Sequence, residues 1–185
     1  MSTAAPSLHS IRPCLEGAIP AIMATCDPDG TPNVAYISQV VYVDAAHVAL
    51  SFQFFNKTRQ NILRNPRASV LVLDPVTAHF YRLHLLYERT EDSGPVFESM
   101  RAQLAGIASH AGMAEVFELK GADIYAVERI ESVAGEGLPA PAPRSGLLHT
   151  LRLCSESIAR CSGLDELLQG ALQGLQDKLG IQHAM

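Results

Sequence analysis

Between residues 51 and 75 the chain reads SFQFFNKTRQNILRNPRASVLVLDP, and polar side chains crowd one short part of it: Gln53, Asn56, Lys57, Thr58 and Arg59. An apolar strand ends there and a short helix begins. A cation, a hydroxyl and the free N–H groups of a helix start therefore converge on one point, a combination that suits an oxyanion such as a phosphate. The same pattern also suits a solvated lysine beside an ordinary helix cap. Ser38 and Gln53 occupy polar strand positions that face either a ligand or water. Arg82 either reaches a bound group or pairs with Glu88 along its own strand, an exposed ion pair worth little.

Elsewhere the chain offers less chemistry. Four cysteines, Cys14, Cys26, Cys154 and Cys161, show no CxxC spacing, so they read as free thiols rather than a zinc site or a disulfide framework. His79 and His84 share a strand but point to opposite faces, so they cannot hold one ion together. The net charge of −5 and scattered basic residues give no stripe of the kind nucleic acid requires. Apolar runs are strand-length, well short of the roughly 20 residues of a membrane helix. The N-terminus lacks the basic-then-apolar order of a signal peptide, and a cytoplasmic location without membrane association is expected.

The elements that position the polar cluster are mostly strands. PAIMATC (20–26), the turn DPDG (27–30) and NVAYISQVVYV (33–43) give a hairpin pattern. In HVALSFQ (47–53), Val48, Leu50 and Phe52 alternate with smaller or polar residues, which predicts a half-buried strand. KTRQNILRNP (57–66) is a short helix stopped by Pro66, and RASVLVLD (67–74) returns to strand composition. In 79–90, Tyr81, Leu83, Leu85 and Tyr87 share one face. Residues 93–112 change to helical period, with Ser93 as the expected cap, and 115–133 supply one or two closing strands. The prediction is a mainly β protein: six antiparallel strands in a small barrel, with short helices and a C-terminal helical segment.

Composition collapses to Gly, Pro and Ala at 135–146, which predicts a linker between a domain over 1–134 and a helical segment over 147–185. Leu147, Leu151, Cys154, Ile158 and Cys161, and then Leu164, Leu168, Leu172, Leu175 and Leu179, form an apolar stripe that must be covered, by self-association or by a larger neighbour.

Taken in order, ATCDPDGTPNVAYISQV, NKTRQNILRNPRASVLV and FYRLHLLYERT make residues 15–133 resemble the pyridoxamine 5′-phosphate oxidase-like flavoproteins. The resemblance implies a six-stranded split barrel, a homodimer, and flavin mononucleotide (FMN) at the dimer interface. It places Asn56, Lys57 and Thr58 on the phosphate, Ile37, Ser38 and Gln39 beside the isoalloxazine ring, Gln53 and Phe54 on the neighbouring strand, and Arg82 within reach from the next. Where true oxidases of this family carry an arginine and a substrate-phosphate lysine, this chain has Ala35 and Val40, so FMN binding is expected without that oxidase activity. LDELLQGALQGLQDKLGIQHAM is similar to the opening of a GAF sensory domain. Three functions fit: the N-terminal redox or sensory module of a longer regulatory protein, an FMN-dependent oxidoreductase acting on a small substrate with NAD(P)H, or a cofactor-free dimerisation module.

Overall fold

The run expected as one strand over 33–43 breaks at Ser38 and Gln39, and that break organises the barrel. In the computed structural model its halves are β2 (Pro32–Ile37) and β3 (Val40–Tyr42), which pair with different strands. The structure describes residues 6–17, 19–54, 56–110, 118–135, 137–139, 147–161 and 163–179. The other strands are β1 (Ala21–Cys26), β4 (His47–Phe52), β5 (Arg67–Leu73), β6 (Phe80–Glu91) and β7 (Gly121–Ser132). Among the described residues seven strands rather than six thus form one antiparallel sheet, in the order β2-β1-β5-β6-β7-β4-β3.

That order places β2 and β3, neighbours in the chain, on opposite edges of the sheet. Laid flat, the edges would stand nearly 30 Å apart, six strand spacings of about 4.8 Å. Ser38 and Gln39 span about 10 Å at most. The sheet must curl until its edges meet at the bend, which gives the split barrel the sequence predicts.

The barrel interior is filled by Met23, Val48, Leu50, Val70, Val72, Leu83, Leu85 and Tyr125. A short 3₁₀ turn (Arg12–Leu15) brings Leu8, Ile11, Cys14 and Leu15 into this core, a contribution from the N-terminus that no periodicity announces. Burial pushes the Cys14 thiol up to about 12, with the Asp74 carboxylate adding to the effect.

β4 is buried on both faces rather than one. Its outer face carries Ala49, which joins Ala122 and Ile124 of β7 beneath Phe97, Met100 and Leu104 of α2 (Pro95–His110). Helix α2 opens at Pro95, not from a Ser93 cap: Gly94, at φ +93, gives its carbonyl to Glu98 N, and the Ser93 hydroxyl donates to Asp92. The expected continuation of this helix to 112 and the start of the closing strand at 115–117 lie outside the described residues.

α1 (Lys57–Arg64) follows β4 directly, capped by Asn56, whose side chain accepts from Arg59 N at 3.2 Å. Before it, the 27–30 turn is fixed by Asp27 Oδ1, which accepts from the N–H groups of Asp29 and Thr31, and by Gly30 at φ +84.

β6 and β7, twelve residues each, pair along nearly their whole length. Their register shifts twice, between His84 and Leu85 and again between Tyr87 and Arg89. Glu128 and then Glu88 are the residues left over. With Glu88 set aside, Tyr87 and Thr90 come to the same side, and their hydroxyls meet at 2.7 Å.

The chain divides into two units, residues 1–139 and 140–185. Most of the predicted linker lies outside the described residues, as do 180–185 at the end of the GAF-like stretch. The second unit is a helical hairpin, α3 (Leu147–Ile158) and α4 (Leu164–Leu179). Small residues let the hairpin close: a Cβ on Gly174 of α4 would stand 3.1 Å from Cys154 Sγ of α3, and one on Gly170 3.4 Å from Cys161 Sγ in the connection between the helices. Leu164, Leu168 and Leu172 lie on another face of α4 and are exposed, Leu164 by 72%. No helix among the described residues is long and apolar enough to cross a membrane.

Candidate functional site

The junction of β4 and α1 opens a small cavity of about 70 Å³. β4 contributes Ser51 and Phe52 before Gln53 follows. The bend after β2 contributes Ser38, α1 contributes Thr58 and Arg59, and β7 contributes Asp123 and Tyr125. The barrel curls so that its seam, at Ser38 and Gln39, lies beside the start of a helix, and this brings strands far apart in sequence to one place.

Ser51, Gln53, Thr58 and Asp123 are buried in its wall, Arg59 is half-buried and Asn56 is exposed, and several of these groups are bonded to one another. Arg59 Nη1 donates to both oxygens of Asp123 at 2.7 Å, and Nη2 donates to Thr90 Oγ1 at 2.8 Å. Thr90 in turn donates to Asp123 at 2.6 Å. The guanidinium carbon of Arg59 lies 4.3 Å from the centroid of the Phe52 ring and 5.4 Å from that of Tyr87. Burial pushes the Asp123 carboxyl above its ordinary value, while the bonds from Thr90 and Arg59 pull it back. Burial also raises the Tyr125 hydroxyl, with Asp123 adding to the effect.

A second set lies on the other flank. Thr58 Oγ1 accepts from Asn33 Nδ2 at 2.9 Å, which leaves its O–H able to donate, and Asn61 Nδ2 donates to Thr25 at 3.1 Å. Gln53 is only 6% exposed. Its Nε2 donates to Ser51 Oγ at 3.4 Å, and its buried Oε1 has no partner among the described residues. A buried acceptor left unsatisfied costs about 1–3 kcal/mol and calls for an explanation.

Of the positions singled out from sequence, the structure brings Ile37, Ser38, Gln53, Phe54, Asn56 and Thr58 to the cavity. Gln39, Lys57 and Arg82 are not in its lining. Gln39 is fully buried, donating through Nε2 to Gln103 at 3.0 Å and through its backbone N–H to Ser51 Oγ. Lys57 Nζ lies 3.2 Å from Asp27 Oδ2, an exposed pair. The bonds from Thr31 and Lys57 hold the Asp27 carboxyl below its ordinary value. Arg82 pairs across the strands with Glu131 at 3.5 Å, not with Glu88, and shares that carboxylate with His84 and Arg129. Sequence reasoning missed Asp123 and Thr90. The signal for Asp123 was available: an acid flanked by Ala122 and Ile124 in the apolar run ADIYAV, once that run is buried, needs a buried cation.

The cavity is rimmed by exposed apolar side chains. Tyr36 is 81% exposed and Phe54 56%, while Val34, two residues before Tyr36 on β2, is 66% exposed. Enclosed cofactor sites run to about 300–1,000 Å³, so this cavity holds one end of a cofactor at most.

Residues 8–133 match the family described as pyridoxamine 5′-phosphate oxidase. Among solved structures, an FMN-binding protein from Syntrophomonas wolfei is similar at 19% identity and a TM-score of 0.57, over 69% of this chain and 86% of that one. HupZ of Group A Streptococcus is similar at 20% identity and a TM-score of 0.54, over 71% of this chain and 98% of that one. A search of curated proteins returns no match.

Proposed function

Since the chain belongs to the pyridoxamine 5′-phosphate oxidase family over residues 8–133, we propose that the β4–α1 cavity is one half of an FMN site, completed by a second copy of the chain. The observation that carries this reading is a cavity with buried polar walls, too small for a whole cofactor, opening onto the exposed Tyr36 and Phe54. An apolar rim of that kind is suited to a flat ring on one side and a partner subunit on the other. The fold neighbour from Syntrophomonas wolfei, described as FMN-binding, agrees with it.

In this reading the phosphate lies at the rim, at the start of α1. The Thr58 hydroxyl donates to it, and Lys57 turns from Asp27 to meet it. The Lys57–Asp27 pair is exposed and holds Lys57 by little, whereas a phosphate dianion offers a charge-assisted bond. Asn56 acts as the cap that fixes the helix start. Ile37 and Ser38 line the ring's path.

Bound FMN supplies one- or two-electron redox chemistry at its ring. Around it this chain binds, orients and excludes water. Val40 is 1% exposed within the core, so it offers no grip to a substrate at the position where the resemblance puts the oxidase's lysine. That favours a redox or sensory module, with α4 as the opening helix of a GAF-like domain, over pyridoxamine phosphate oxidation. An oxidoreductase acting on another small substrate is the second reading.

The test is FMN and riboflavin titrated into wild type and Lys57→Ala. Wild type should quench FMN fluorescence and melt at a higher temperature with FMN present. Lys57→Ala should weaken FMN about ten- to a hundredfold and leave riboflavin unchanged. Wild type that binds neither flavin removes the reading, and unchanged FMN affinity in the variant removes the phosphate assignment.

A further inference from the structure

The only charged side chains in the lining of this cavity, among the described residues, are Arg59 and Asp123, and they cancel. Lys57, the nearby cation, lies outside the lining. A dianion placed inside would therefore have no net counter-charge and would lose its hydration, an unfavourable exchange in a narrow space. A neutral group with hydrogen-bonding atoms on its edge has no such difficulty.

The walls specify which atoms that edge should carry. Gln53 Oε1 is buried, without a partner among the described residues and able only to accept, so it requires an N–H or O–H. Arg59 has five N–H donors, and its contacts to Asp123 and Thr90 use at most three of them. Asp123, Thr90 and the Phe52 ring hold the guanidinium in place, so it presents donors without reorganising. An acceptor and a fixed donor in one lining form the complement of an amide or imide edge, where an N–H stands beside a carbonyl.

Building on the flavin reading above, we propose that the cavity takes the imide edge of the isoalloxazine ring. Its N3–H donates to Gln53 Oε1 and a neighbouring ring carbonyl accepts from Arg59. Gln53 is then the residue that selects the ring, and Asp123 is a positioning residue that holds Arg59. Flat ligands without an edge N–H leave Gln53 unsatisfied and bind less well.

The test compares riboflavin with N3-methylriboflavin, which lacks only the imide donor, by fluorescence titration of the full chain. Wild type should bind the methylated ligand at least about tenfold more weakly. Gln53→Met, which keeps the volume and removes the acceptor, and Gln53→Ala, which also makes room, should bring the two ligands within about twofold of each other. Equal affinities in wild type overturn the proposal and point to a ribityl hydroxyl as the donor. Discrimination that persists in either folded variant overturns it too, since steric exclusion alone would then explain it. Binding of neither ligand by wild type removes the flavin reading and this one with it.

Discussion

The barrel and the helical hairpin break the same rule in opposite directions. Around its cavity the barrel hides polar side chains, among them Gln53, Thr58, Asn61 and Asp123, whereas the hairpin displays Leu151, Leu164, Leu168 and Leu172 to solvent. Each departure implies something to be bound. Buried hydrogen-bonding groups are satisfied one atom at a time, so the barrel's departure specifies the chemistry of a small ligand. Exposed leucines specify only that water be excluded.

The contrast can be broken most strongly at Asp123. Asp123→Ala leaves the Arg59 guanidinium buried without its carboxylate, which costs about 3–5 kcal/mol, and the barrel's melting temperature should fall by roughly 10–20 °C. A fall of only a degree or two would mean that water reaches Arg59 and that the cavity wall is not the rigid element described above.

On the hairpin side, replacing Leu164, Leu168 and Leu172 together by Gln should leave the melting temperature within about 2 °C, because surface positions away from packing contribute about 0.5 kcal/mol or less. Self-association measured by sedimentation should weaken at least about tenfold if these leucines pair with a second copy. Unchanged association would assign the contact to the barrel alone.

The smallest effect is chemical. With its thiol pushed up to about 12, Cys14 should stay unlabelled by a maleimide at pH 8 in the folded chain, while Cys154 and Cys161, both partly exposed, react within minutes. Rapid labelling of Cys14 would show that the N-terminal segment leaves the core.

Period-two alternation gave most of the strands, and turn chemistry gave the 27–30 hairpin, because both are local. The break at Ser38 and Gln39 was not legible: it depends on which strands the two halves pair with, a long-range choice that no window of eleven residues contains. The second buried face of β4 escaped for the same reason, since α2 covers it from 45 residues further on. At the site, Gln53 and Thr58 could be picked out because polar residues at a strand-to-helix junction stand out against apolar neighbours. Lys57 shows the limit of that method. Residue type nominates a cation, but whether it faces the cavity or Asp27 depends on the turn of the helix.

The two irregularities between β6 and β7 have a consequence for how such a chain can drift. The register that pairs Tyr81 with Ser132 returns after the second shift, where Thr90 faces Asp123, because the extra residue on one strand is matched by one on the other. They behave like a frameshift and its suppressor. Loss of either Glu88 or Glu128 alone would rephase one end of the pair and turn the side chains there to the opposite face, while loss of both would restore the match at the ends. Descendants of this sequence can therefore replace nearly any exposed letter of these strands one at a time, but they can change the strands' length only in pairs.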